Sequence, residues 1–143
     1  MRKVEFYLVK DWLCLEESFK DEPYKTMLLS ENIDLWDNNL FKFNDGKLYR
    51  VVYRVVHSKG NKYAIEEVKY FNPKRKASSN ENEIMCPVCN YEFGDSWEYE
   101  DSDEDFCPCC GADLEFDRVI EVSYITSVVQ VQEPVDLSKF EEV

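Results

Sequence analysis

Val4, Phe6 and Leu8 alternate with Lys3, Glu5 and Tyr7. That is the period of a half-buried strand, so a β-strand is expected near the N-terminus. From Asp11 to Asn39 the pattern changes: Trp12, Leu15 and Phe19 recur at helical spacing, Pro23 interrupts, and Met27, Leu28, Leu29, Ile33 and Trp36 follow. One or two short helices are expected there. Between Leu40 and Phe71 the β pattern is clearest. Phe41 and Phe43 lead into Asn44, Asp45 and Gly46, a turn composition that tolerates positive φ, and Tyr49, Val51, Tyr53 and Val55 then mark one face of a strand. Ser58, Lys59, Gly60 and Asn61 make a second turn, and Tyr63, Ile65, Val68 and Tyr70 resume with a change of face at Glu66 and Glu67 that points to a bulge there. This stretch reads as a three-stranded meander.

A polar, basic stretch from Asn72 to Asn80 has the look of a domain boundary. Beyond residue 117, Ile120, Val122, Tyr124, Thr126 and Val128 alternate with Glu121 and Ser123, which predicts a long strand returning to the first sheet. The expected class is therefore α+β, mainly β: a small antiparallel sheet with short helices over residues 1–76 and 118–132, an inserted module over 81–117, and a tail over 133–143. In that tail Val135, Leu137 and Phe140 either dock or stay loose.

At 143 residues the chain has room for one ordinary domain or a small domain with an appended module. Its 44% hydrophobic and 15% aromatic content is that of a protein able to build a core. No apolar run reaches the length of a membrane span, and MRKVEFYLVKDWLCLEE lacks the features of a signal peptide, so a cytoplasmic protein without membrane contact is expected. Six cysteines without a secretory signal favour metal binding over a disulfide framework.

The candidate chemistry lies in CPVCNYEFGDSWEYEDSDEDFCPCCG, Cys86 to Gly111, where two CxxC pairs are separated by 17 residues. Each pair can present two thiolates from one tight turn, and two turns supply the four ligands of a closed zinc site. The residue after each second ligand often adopts a left-handed conformation. Those positions hold Asn90 and Gly111, the types that do so most readily. The expected ligands of one zinc ion per chain are Cys86, Cys89, Cys107 and Cys110. Cys109 competes with Cys110 by position, but Cys110 reproduces the CPxC spacing of the first pair and places Gly111 correctly.

CPVCNYEF (Cys86 to Phe93) and CPCCGADLEF (Cys107 to Phe116) resemble the zinc-ribbon and rubredoxin-like class, over about a quarter of the chain. That resemblance implies a structural metal site, with rubredoxin-type iron and electron transfer as a minor alternative, and says little about activity. The chain as a whole, with phrases such as YEFGDSWEYED, is also similar to small zinc-ribbon proteins of bacteriophages that infect Gram-positive bacteria. This implies an accessory or host-directed role in the cytoplasm of a host cell.

Charge is segregated. Residues 1–76 hold 15 Lys/Arg against 12 Asp/Glu, residues 77–117 hold 13 Asp/Glu and no Lys/Arg, and the whole chain sums to −13. A ribbon that reads duplex nucleic acid should be basic, so this one is poorly suited to touch phosphate. Glu92, Asp95, Glu98, Glu100, Asp101, Asp103, Glu104 and Asp105, interleaved with Tyr91, Phe93, Trp97 and Tyr99, form either a solvated loop or a contact surface for a basic partner. The central Gly and ordered ligands of a calcium loop are missing. From Lys42 to Lys76 ten Lys/Arg face three Asp/Glu. Arg50 and Arg54, expected on one strand face, form with Lys74, Arg75 and Lys76 either an ordinary solvent face, a nucleic-acid contact, or a partner for the acidic ribbon of another copy.

His57 is the lone histidine and is expected on the surface beside a turn; Cys14, among Trp12, Leu13 and Leu15, is expected to be buried. No GxSxG, HExxH or phosphate-binding glycine loop occurs. The reading is a non-enzymatic zinc-ribbon protein whose acidic surface engages a basic, nucleic-acid-handling partner, in its most concrete form a phage inhibitor of a host enzyme such as an anti-CRISPR protein. The alternatives are a nucleic-acid-binding or transcription-associated regulator and a rubredoxin-like electron carrier.

Overall fold

The computed structural model describes residues 1–35, 39–57, 60–119 and 123–143, with the backbone alone at His57 and Ser123. The expectations placed on Trp36, on the turn residues Ser58 and Lys59, on the side chain of His57, and on Ile120 to Val122 lie outside this description. The described chain is mainly β with short helical turns, and it divides into two compact units, Met1–Val68 with Pro134–Val143, and Lys69–Glu133. The second is an insertion in the first. No helix among the described residues is long and apolar enough to cross a membrane.

The first unit is a six-stranded mixed sheet. Its strands are β1 (Arg2–Leu8), β2 (Lys25–Leu29), β3 (Phe41–Lys42), β4 (Leu48–His57), β5 (Gly60–Val68) and β10 (Val135–Asp136), in the order β10-β3-β4-β5-β1-β2. β3, β4 and β5 form the expected meander. β1 lies parallel to β5, and Val4 and Phe6 are buried as their alternation requires, but the alternation fails at the end of the strand, where Tyr7 is buried and Leu8 is 47% exposed. One face packs around Phe6, whose ring lies 5.0 Å from Phe43, 5.5 Å from Phe41 and 5.8 Å from Tyr63. Such edge and tilted contacts add to the area term of burying the rings.

Four expectations for this unit need correction. The stretch after Pro23 begins as strand β2 rather than a helix, since Met27 and Leu29 alternate into the core opposite β1. One short 3-10 turn, Leu15–Lys20, does form in the predicted helical region. Cys14 is exposed: Leu13 N–H bonds the carboxylate of Asp11 and Cys14 N–H its carbonyl, a turn that leaves Leu13 98% exposed. The bulge falls on β4, not at Glu66 and Glu67, because Val51 pairs with Ile65 while Tyr53 pairs with Ala64. The extra residue turns the strand over. Arg50 stands opposite Glu66, whereas Arg54 stands opposite Tyr63 on the core side, so the two arginines occupy opposite faces.

The chain after residue 133 is not a loose tail. β10 pairs with β3, Leu137 is fully buried, Glu142 bridges Met27 of β2, and Lys25 Nζ meets Glu142 at 2.8 Å. One segment thus joins both edges of the sheet and closes it into a ring of strands.

The second unit is a four-stranded antiparallel sheet of β6 (Ala77–Asn80), β7 (Ser102–Phe106), β8 (Asp113–Val119) and β9 (Ser123–Gln130), in the order β6-β9-β8-β7. β9 is the long strand expected from Tyr124, Thr126 and Val128, but it pairs with β8 and β6 rather than returning to the first sheet. The boundary correspondingly lies at Lys69, ahead of the basic stretch, and Lys74, Arg75 and Lys76 belong to the cysteine unit.

Candidate metal centre

Two matching turns build the site. In the first, Asn90 N–H bonds the carbonyl of Cys86 at 2.9 Å and Cys86 N–H the carbonyl of Tyr91 at 2.9 Å; in the second, Gly111 N–H bonds Cys107 at 2.9 Å and Cys107 N–H bonds Ala112 at 2.8 Å. Each turn needs a residue with positive φ at the same place, and Asn90 (φ 63°) and Gly111 (φ 78°) supply it.

The turns bring the sulfurs of Cys86, Cys89, Cys107 and Cys110 within 4.8 Å of one another, all buried. Cys86 Sγ lies 3.7 Å from Cys110 Sγ, and Cys89 Sγ 3.6 Å from Cys107 Sγ. Four sulfurs at about 2.3 Å from a tetrahedral ion lie about 3.8 Å apart. The donor set and its spacing therefore fit a metal ion with no position left for substrate. Cys109 is buried at 5% exposure but stands outside this cluster, and its N–H points at Cys107 Sγ from 3.4 Å.

Without an ion the four groups cannot all be anionic at this separation. Cys86 is held well below the usual thiol range by hydrogen bonds from Cys107, Cys110 and Cys89. Cys89 is pushed up by its hydrogen bonds with Cys107 and Cys109, and Cys107 by those with Cys110 and Cys86. A divalent ion changes that balance by stabilising the remaining thiolates.

The acidic loop between the turns is anchored from inside. Ser96, fully buried, receives a hydrogen bond from Ile84 N–H at 2.9 Å and donates one to the Phe93 carbonyl at 2.7 Å. Asp95 enters the left-handed region (φ 57°) to start a 3-10 turn over Ser96–Glu98. Arg118 of β8 gathers the carbonyls of Ser96, Trp97 and Tyr99 at 3.2 to 3.4 Å and meets Asp101 at 3.5 Å. Phe93, Tyr99 and Phe116 pack ring against ring, and Tyr99 is pushed up to about 12 by burial and by its 2.7 Å hydrogen bond to Asp105.

Of the aromatic residues expected to serve as contact anchors, Phe93 is buried and Tyr91 and Tyr99 are half-buried, while Trp97 stands 69% exposed. Most of the interleaved aromatics thus hold the loop rather than offer it. Glu92, Asp95, Glu98, Glu100, Asp101, Asp103 and Glu104 are exposed and Asp105 half-buried.

Of the basic candidates, Lys74 and Lys76 are exposed, while the three arginines have partners. Arg50 binds Glu66 at 2.8 Å and stacks on Trp12, Arg54 pairs with Asp34 at 3.9 Å, and Arg75 reaches Tyr70 and Asn90. Sequence reasoning missed Arg118 as the organiser of the loop and the strands β7 and β8. Leu114 and Phe116, alternating with Asp113, Glu115 and Asp117, carried the signal for β8. Compared with family models, curated proteins and solved structures, the chain matches none.

Proposed function

We propose that the centre holds one structural zinc ion and that the unit built around it presents an acidic surface to a basic partner protein, one that itself handles nucleic acid. The observation that carries this reading is the arrangement of charge. Residues 77–117 contain 13 carboxylates and no Lys or Arg, and Arg118, which follows them in the chain, is turned onto the loop's carbonyls. Such a surface repels phosphate and speeds encounter with a cationic protein. Zinc in a closed four-thiolate site supplies folding energy rather than reactivity, and in this reading the chain is not an enzyme. Blocking a phosphate-binding groove, as a phage inhibitor of a host enzyme would, is the most concrete form of the proposal.

The nucleic-acid reading through Arg50, Arg54, Lys74, Arg75 and Lys76 is weaker, because Arg50 and Arg54 stand on opposite faces of their strand and each pairs with a carboxylate of its own unit. The test is capture from a host lysate with the zinc-loaded protein at low and high salt, identifying both proteins and nucleic acids. Salt-sensitive recovery of one nucleic-acid-handling protein is expected. Recovery of nucleic acid alone would move the function to the basic residues, and red, iron-loaded protein would favour an electron carrier.

A further inference from the structure

The acidic reading leaves open which part of the second unit makes contact, and the register of its sheet narrows the choice. On β8 and β9, Leu114, Phe116, Tyr124 and Thr126 are buried. The residues that alternate with them point the other way and are exposed: Glu115 and Asp117 on β8 and Ile125 on β9, with Glu104 across from Glu115 on β7. Among the described residues this face of the sheet is exposed apart from Ser127, which is half-buried. Its β7–β8 half carries Glu104, Glu115 and Asp117 with Phe106 at one end, and β9 adds Ile125, 48% exposed, and Val129, 59% exposed.

Two features separate this face from an ordinary solvated one. Glu104 and Glu115 are directly opposite each other, a like-charge pair that works against the sheet, and among the described residues no Lys or Arg stands on this face to relieve it. A shallow groove of ≈ 580 Å³ also runs along the acidic half, lined by Ser102, Asp103, Glu104, Glu115, Phe116 and Asp117. The edge of the sheet, by contrast, is guarded. Glu104 N–H and Phe106 N–H are each taken by the carboxylate of the preceding residue, Asp103 and Asp105, at 2.8 Å.

We propose that the uncovered face of the β6–β9 sheet is the docking site for a lysine- or arginine-rich protein segment with apolar side chains set between its charges. Its cations lie over Glu104, Glu115 and Asp117, and its apolar residues cover Ile125 and Val129. The segment lies across the face rather than adding as a strand at β7. This inference rests on the acidic-surface reading and assigns it a place distinct from the loop at Glu98, Glu100 and Asp101.

The test uses the zinc-loaded full chain, isotope-labelled for NMR, and two synthetic peptides of equal charge, one alternating lysine with valine and one lysine with glycine. Tighter, salt-sensitive binding of the valine peptide is expected, with amide shifts at Glu104, Glu115, Asp117 and Ile125. An E104Q/E115Q/D117N variant should bind about tenfold more weakly, ~1.4 kcal/mol, while melting no lower than the parent because repulsion has been removed. Shifts confined to residues 97–101, with the triple variant binding like the parent, would overturn the docking face and leave the acidic surface standing. Equal binding of the two peptides would overturn the apolar half of the site. Absence of salt-sensitive binding by either peptide would overturn both readings.

Discussion

Asn90 and Gly111 sit at equivalent places in two turns that share their hydrogen bonds, and this repetition selects the cysteines. Counting back from each positive-φ residue lands on Cys89 and Cys110, never on Cys109. Cys110→Ser is therefore expected to abolish stoichiometric metal binding, while Cys109→Ser keeps it; metal content by mass spectrometry under native conditions checks both. A thiol must lose its proton to ligate a metal, so uptake releases protons, and affinity should fall as pH falls from about 8 to about 6. Competition with a chelator across that range reads the slope, and pH-independent affinity would contradict a thiolate site. Gly60 tells the same story of backbone constraint in the first unit. Its φ is +143°, and a Cβ there would lie 2.6 Å from the carbonyl oxygen of Lys3 on β1. Gly60→Ala should destabilise that unit by about 1–3 kcal/mol in denaturant unfolding. The ligands were legible in the sequence because a metal site forces spacing and turn residues together. Gly60 was legible only as a turn residue, since its constraint comes from a strand nearly sixty positions away.

Elements were legible where a local pattern coincided with tertiary pairing. β1, β4, β5 and β9 announce themselves by alternation. β2 was mistaken for a helix because Met27, Leu28 and Leu29 are contiguous, and what decides their conformation is the antiparallel partner β1. β7, with the sequence SDEDF, carries no apolar alternation at all and exists as a strand through pairing with β8. Such an edge would invite another chain, and the carboxylates of Asp103 and Asp105 cover its outward amides. Replacing both by alanine is expected to raise self-association, seen by light scattering as a concentration-dependent increase in mass. An unchanged monomer would show that the edge needs no guard.

At the scale of the whole molecule, charge segregation was readable from the sequence, but the path of the chain was not. Residues 118–132 alternate as a strand whichever sheet receives them, and only pairing assigns them to the cysteine unit. Two units with separate cores should melt separately. A chelator is expected to lower the transition of Lys69–Glu133 and spare the other, followed by calorimetry with and without the metal. Leu137→Ala should do the reverse, costing the first unit about 2–5 kcal/mol as a fully buried leucine and leaving metal retention intact.

The closing segment also imposes an order of events during synthesis. β1 to β5 leave the ribosome first, yet the two edges of their sheet are joined by residues 135–143, which emerge only after all of the cysteine unit. The first unit therefore cannot close its sheet until the chain carrying Cys86 to Cys110 has been made. Those cysteines can meet metal before the first unit is finished, so the supply of metal and the completion of the older half of the chain are separated in time by the insertion itself.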